Sequence, residues 1–217
     1  MSLTIAFDLD GTLIDSVPQI ADCVNAALSH HGIAPLPQQK VQGFVGRGLP
    51  ALVRQVVAEV GLSESETTPL HDRILALYSE VETPLSALYP GVSAALGVLR
   101  DQGHSLAICT NKPHEATLKC LADTGLALTF DRVIGGDSLP TRKPDPAMLH
   151  AALDGAPRPL YVGDSETDAE TAQAAGVPFL LFTEGYRKSP VEALPHTASF
   201  RSFADLPRLV ALQSSSV

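Results

Sequence analysis

Short apolar runs recur along the chain at residues 3–7, 105–109, 132–134, 160–162 and 179–182. Each is too short for a helix and too uniformly apolar for a strand with one wet face. That pattern belongs to strands buried on both faces of a parallel sheet. Between the later runs the apolar positions move to helical spacing. Pro90 stands where a helix can open, Val92, Ala95, Leu96 and Leu99 repeat along one face, and Gly103 supplies a stop. Residues 113–125 and 146–155 follow the same plan, and an alanine-rich helix over 166–176 fills the last crossover. Strands alternating with helices of this length predict right-handed crossovers and an α/β fold with a doubly wound parallel sheet.

The stretch from about Ser16 to Leu88 departs from this alternation. It holds no strand pattern, and amphipathic helices follow one another: one on Ile20, Val24, Ala27 and Leu28, one on Leu49, Leu52, Val53, Val56, Val57 and Val60, one on Leu70, Ile74, Leu77 and Val81. An insert of this size cannot be an ordinary loop. The reading is a core of residues 1–15 and 85–213, an all-helical subdomain over 16–84, and a tail, 214–217, with nothing to pack.

Composition narrows the class. Of 217 residues, 45% are hydrophobic and 18% charged, which excludes a disordered chain. Fifteen Lys and Arg against 24 Asp and Glu give a net charge of −9, so nucleic acid is not an expected partner. Cys23, Cys109 and Cys120 lie far apart within apolar stretches and read as reduced packing thiols. No apolar run reaches the roughly 18 residues a membrane span needs, and the N-terminus enters a strand pattern without a basic leader. These features predict a soluble cytoplasmic protein with no membrane partner.

In a parallel sheet, residues just after the strands converge at one edge. Here those residues are Asp8-Leu9-Asp10-Gly11-Thr12, Thr110-Asn111-Lys112 and Gly163-Asp164-Ser165 with Asp168 beyond, while Lys143-Pro144 precedes the helix over 146–155. One polar pocket should therefore hold four carboxylates, two neutral hydrogen-bonding groups and a lysine. Crowded carboxylates raise each other's pKa unless a cation shares the site, which implies a divalent metal. Oxygen ligands without His or Cys select Mg²⁺ over zinc. A metal and an ammonium would also remove the repulsion a carboxylate nucleophile meets at a phosphorus centre. The parts suit phosphoryl transfer.

Asp8-Leu9-Asp10-Gly11-Thr12-Leu13, Thr110-Asn111, Lys143-Pro144 and the run from Gly163-Asp164 to Asp168 together resemble the four motifs of the haloacid dehalogenase superfamily, in order and across nearly the whole chain. The helical insert is similar to a type 1 cap on the superfamily's Rossmann-like core. Tyr89-Pro90-Gly91, Thr110-Asn111-Lys112-Pro113 and Gly163-Asp164-Ser165 most resemble phosphoglycolate phosphatases. The resemblance implies Asp8 as nucleophile, forming an aspartyl-phosphate, and Asp10 as general acid and then base. It implies Thr110 and Asn111 on the phosphoryl oxygens and Lys143 neutralising Asp8 and the phosphate. Asp8, the Asp10 main-chain carbonyl and Asp164 would bind Mg²⁺, with Asp168 in support. Haloacid dehalogenases lack an acid at the place of Asp10, so its presence favours phosphate over carbon–halogen chemistry.

Each motif alone has a plainer reading. Asp-Gly is also a turn signal, Thr110 could cap the next helix, Lys143 could be a solvated loop lysine, and Asp168 could answer a helix dipole. Their joint occurrence carries the expectation: a Mg²⁺-dependent phosphatase of a small phosphorylated metabolite such as phosphoglycolate. A phosphomutase of the same superfamily and a silent phosphometabolite-binding regulator are the alternatives. Gly46-Arg47-Gly48 joins two cap helices, and Arg47 is the candidate partner for a substrate carboxylate. Oligomeric state leaves no sequence signal.

Overall fold

The structure is a computed structural model, and it describes residues 2–215. In chain order β1 (Thr4–Phe7) leads into α1 (Val17–Ser29), α2 (Gln38–Gln42), α3 (Leu49–Val60) and α4 (Thr67–Glu80). The chain continues through α5 (Val92–Asp101), β2 (Ser105–Cys109), α6 (His114–Asp123), β3 (Arg132–Ile134) and α7 (Ala147–Leu153). It ends with β4 (Pro159–Gly163), α8 (Glu166–Ala175), β5 (Phe179–Phe182), β6 (Ala198–Phe200) and α9 (Leu206–Ser215). All neighbouring strands pair in parallel, in the order β3-β2-β1-β4-β5-β6. The doubly wound sheet expected from the sequence is present. Its order reverses at β1, so the crevice such a sheet opens for ligands lies at the carboxyl end of β1.

Strand residues alternate between two apolar layers. Ile5, Phe7, Leu106, Ile108, Leu160 and Val162 face α5, α6 and α9, while Ala6, Ala107, Cys109 and Tyr161 face α7 and α8. The small side chains on the second face bring α7 close to the central strands. A third apolar cluster joins α1 to α4 through Val24, Val53, Val56, Leu70 and Ile74, and it includes Ala116 of α6 from the core. The two chain segments that enter and leave these helices run side by side, with Asp15 N–H donating to Ala87 at 2.8 Å and Tyr89 N–H to Leu13 at 3.0 Å. Among the described residues no helix is long and apolar enough to cross a membrane.

Three details differ from the sequence reading. The helix expected to open at Pro90 begins at Val92, because Gly91 holds a left-handed backbone, φ 87°, that no right-handed helix contains. The edge strand β6 has no counterpart among the apolar runs, since only Phe200 of its three residues is buried. The expected tail is shorter: α9 extends to Ser215, and Arg158 donates to the carbonyl of Ser214 at 2.7 Å, which fastens this helix end to the core. Ser216 and Val217 lie outside the described residues.

Candidate active site

Sheet pairing carries the backbone of β1 and β2 one step past the last strand residue, with Asp8 N–H on Val162 at 2.9 Å and Thr110 N–H on Ile134 at 3.0 Å. Asp8 and Thr110 thereby sit on rigid strand ends, and Asp164 follows β4 directly. Asp8, Asp164 and Asp168 are buried, with carboxylate oxygens within 4.8 Å of one another. Lys143 closes the group, 3.0 Å from Asp8 Oδ1 and 2.7 Å from Asp168 Oδ1.

The three carboxylates are differently engaged, and this separates their chemistry. Asp168 Oδ1 accepts from Lys143 Nζ and from Tyr161 OH, both at 2.7 Å, and Oδ2 accepts from Asp164 N–H, Ser165 N–H and the Ser165 hydroxyl. Burial works against its charge, but Lys143 and these hydrogen bonds hold it below the ordinary value, so it stays ionised. With both oxygens filled, it orients Lys143 and also completes the capping box of α8. One carboxylate thus closes the start of its own helix and holds the ammonium that lies beside Asp8. Gly163 makes this approach possible: a Cβ there would come within 2.6 Å of Asp168 Cβ.

Asp8 and Asp164 are less satisfied. Burial pushes Asp8 up to about 7, with Lys143 opposing and Asp168 and Asp10 reinforcing the rise. Its Oδ1 meets Lys143 as an ion pair outside hydrogen-bond alignment and has no hydrogen-bond partner. Asp164 accepts from Thr12 Oγ1 at 2.8 Å and Tyr186 N–H at 2.6 Å, yet burial, and then Asp168 and Asp8, drive it well above the ordinary value. Two desolvated carboxylates that resist ionisation, one with an orphaned oxygen, are a donor set a hard divalent cation fits. Burial likewise works against charge on Lys143, but Asp168 and Asp8 outweigh it and keep the ammonium protonated.

Two connected chambers meet at Asp8 and Asp10. The outer one, about 350 Å³, includes Asp164, Glu166, Glu170 and Arg47. The inner one, about 40 Å³, is walled by Thr110, Asn111 and Lys112 from the core and by apolar side chains of α1 and α3 with Tyr78 of α4. Asn111 stands on this wall, and its side-chain amide is engaged by backbone: Nδ2 donates to Gly46 and Lys143 carbonyls, both at 3.0 Å, and Oδ1 accepts from Lys143 N–H at 3.0 Å. It ties the lysine loop to the cap connection, and beside it the Thr110 hydroxyl accepts from Lys112 N–H at 3.3 Å. Arg47 reaches the outer rim, with a side chain 61% exposed and 3.6 Å from Glu170.

Two residues of the site carry roles that the sequence reasoning did not assign. Tyr161 lies within an apolar strand run, and its fully buried hydroxyl, 2.9 Å from Lys143 Nζ, was the available signal, since a buried tyrosine needs a polar partner. Removing that hydroxyl in Tyr161→Phe strips a charged hydrogen bond from Asp168. Stability should fall by about 1.5–3 kcal/mol, read as a lower urea midpoint at unchanged slope. The second is Lys112, whose Nζ donates to Asp10 Oδ1 at 3.2 Å and lies 5.1 Å from the centre of the Tyr78 ring.

This fold and this carboxylate–lysine group define a class, and comparison with known proteins agrees. The family model for haloacid dehalogenase-like hydrolases matches residues 5–182, and the chain belongs to that family. Among its relatives, a phosphoglycolate phosphatase of Rhodobacter capsulatus is 50% identical over 215 residues, covering 97% of each chain. Another from Rhodospirillum rubrum is 41% identical, over 95% of this chain and 90% of its own. A crystal structure described as a predicted phosphoglycolate phosphatase from Haemophilus somnus superposes with a TM-score of 0.87 at 31% identity, covering 95% and 97% of the two chains. The chain is a phosphatase of this family, a phosphoric monoester hydrolase.

Proposed function

We propose that the chain hydrolyses phosphoglycolate, or a metabolite of closely similar build, through an aspartyl-phosphate on Asp8 with Mg²⁺ as cofactor. The observation that carries this reading is Asp8 itself: a buried carboxylate at a strand end, 3.0 Å from a lysine and open to a chamber it shares with Asp10. Relatives of 41% and 50% identity bearing the phosphoglycolate phosphatase name support the substrate.

In the first half-reaction an Asp8 oxygen attacks phosphorus and the ester P–O bond breaks. Asp10 gives its proton to the departing alkoxide. In the second, Asp10 takes a proton from water, whose oxygen attacks the phosphorus of the acyl phosphate and frees Asp8 and inorganic phosphate. Lys143 offsets the charge gathering on Asp8 and the phosphoryl oxygens, and Thr110 with the main chain beside it donates to those oxygens. Asp8, Asp164 and the Asp10 carbonyl would hold Mg²⁺, which when bound supplies neutralising charge at the phosphoryl group. The three buried free thiols support a reducing, cytoplasmic setting.

Phosphate release across phosphoglycolate, sugar phosphates and nucleoside monophosphates with Mg²⁺ tests the reading. Phosphoglycolate should show the highest kcat/KM, and release of no phosphate from any of them would overturn it. Asp10→Asn should slow phosphoglycolate about 10²- to 10⁴-fold more than p-nitrophenyl phosphate, whose leaving group needs no proton. Equal slowing would remove the acid role.

A further inference from the structure

We propose that Lys112 recognises the carboxylate of the leaving group and thereby selects the substrate, an inference that rests on the phosphoglycolate reading. Asp164 lines the outer chamber and not the inner one, which assigns the outer chamber to the metal side of the phosphoryl group. Asp10, which must protonate the leaving group, borders both chambers, and Lys112 beside it lines the inner one, where the leaving group is therefore placed. Its volume, about 40 Å³, is room for roughly three waters at ~10–15 Å³ each. A methylene and a carboxylate match such a space.

Lys112 is the cation on that wall, and its side chain is 6% exposed. A buried ammonium has three N–H donors and costs free energy for every one left without an acceptor. Among the described residues one carboxylate, Asp10, accepts from it, and the Tyr78 ring covers part of the remainder. Spare donor capacity in a chamber otherwise walled from the cap by apolar groups is what a small anion requires. Asp10 and Lys112 stand side by side, so an ester oxygen at Asp10 places a carboxylate on the adjoining carbon beside Lys112. Arg47, by contrast, is solvated at the outer rim and already faces Glu170.

The test compares phosphoglycolate with 2-hydroxyethyl phosphate, which has the same length and no leaving-group charge, using wild type, Lys112→Met, Lys112→Gln and Arg47→Ala with Mg²⁺. Methionine matches the unbranched stem, and glutamine keeps a donor for Asp10 should the apolar replacement misfold. Both Lys112 variants should lose about 10- to 100-fold more kcat/KM on phosphoglycolate than on the neutral ester, the range of one charge-assisted hydrogen bond. Equal loss on both esters would mean that Lys112 acts through Asp10 alone and would overturn the proposal. So would a preference lost in Arg47→Ala and kept in the Lys112 variants. A wild type that does not prefer phosphoglycolate over the neutral ester sinks the substrate reading itself, and this is seen without any variant.

Discussion

Asp8→Asn should abolish turnover: phosphate release is expected to fall by at least about 10⁴-fold, while the protein stays folded. The amide is isosteric with the carboxylate and too weak a nucleophile to form the acyl phosphate. No neighbour can replace it, because Asp168 has both oxygens occupied by five donors and Asp164 is held by Thr12 and Tyr186. The same substitution removes a buried charge that burial, Asp168 and Asp10 all disfavour. Without metal, Asp8→Asn should therefore melt at or above the wild-type temperature, as when activity is kept at the expense of stability. Phosphate release from phosphoglycolate and a thermal melt in chelator check the two halves. Activity within tenfold of wild type would eliminate covalent catalysis at Asp8, and a markedly lower melting temperature would show that the carboxylate is structural.

Much of this arrangement was legible because the buried strands are legible. Asp8, Thr110 and Asp164 each follow an uninterrupted apolar run, so finding the runs fixes where those side chains emerge. Lys143 is further from its strand, and its place depends on Asn111, whose amide binds the main chain of Lys143 on both sides. That bond spans 32 residues and no local pattern encodes it. The identity of the cation facing the inner chamber was hidden for the same reason. The sequence pointed to Arg47, between cap helices, and left Lys112, just after a strand, without a role of its own. Which is buried depends on how the cap sits on the core. The Gly46 carbonyl bonded to Asn111 fixes that connection, and Arg47 beside it extends outward to Glu170. The edge strand β6 is too short to show a period, with one buried residue in three, whereas Leu206, Leu209 and Val210 of α9 stand at helical spacing and were the available signal for that helix.

Chelation of divalent metal should remove turnover entirely, and Mg²⁺ should restore it, with a stability signature that depends on pH. Asp8 rises from 3.8 to about 7 on folding without metal, and Asp164 rises as well, chiefly by burial. An acid whose folded value is raised binds its proton more tightly in the folded state. Its contribution to stability is full below the unfolded value and is lost as pH rises through the folded one. The metal-free protein should therefore lose stability between pH 4 and about 7 as Asp8 ionises, and Asp164 adds to the loss in the same direction. Asp168, held below the ordinary value by Lys143, acts in the opposite sense and only at lower pH. Mg²⁺ binds the ionised pair, so its stabilisation should be large at pH 8 and small at pH 5. At a concentration about 100 times its dissociation constant it should add about 2.7 kcal/mol, or roughly 5–10 °C in Tm for a chain of this size. Melts with Mg²⁺ and with chelator at both pH values measure this apart from activity. An equal Mg²⁺ shift at pH 5 and pH 8 would mean that the ion binds elsewhere, and full turnover in excess chelator would exclude the cofactor.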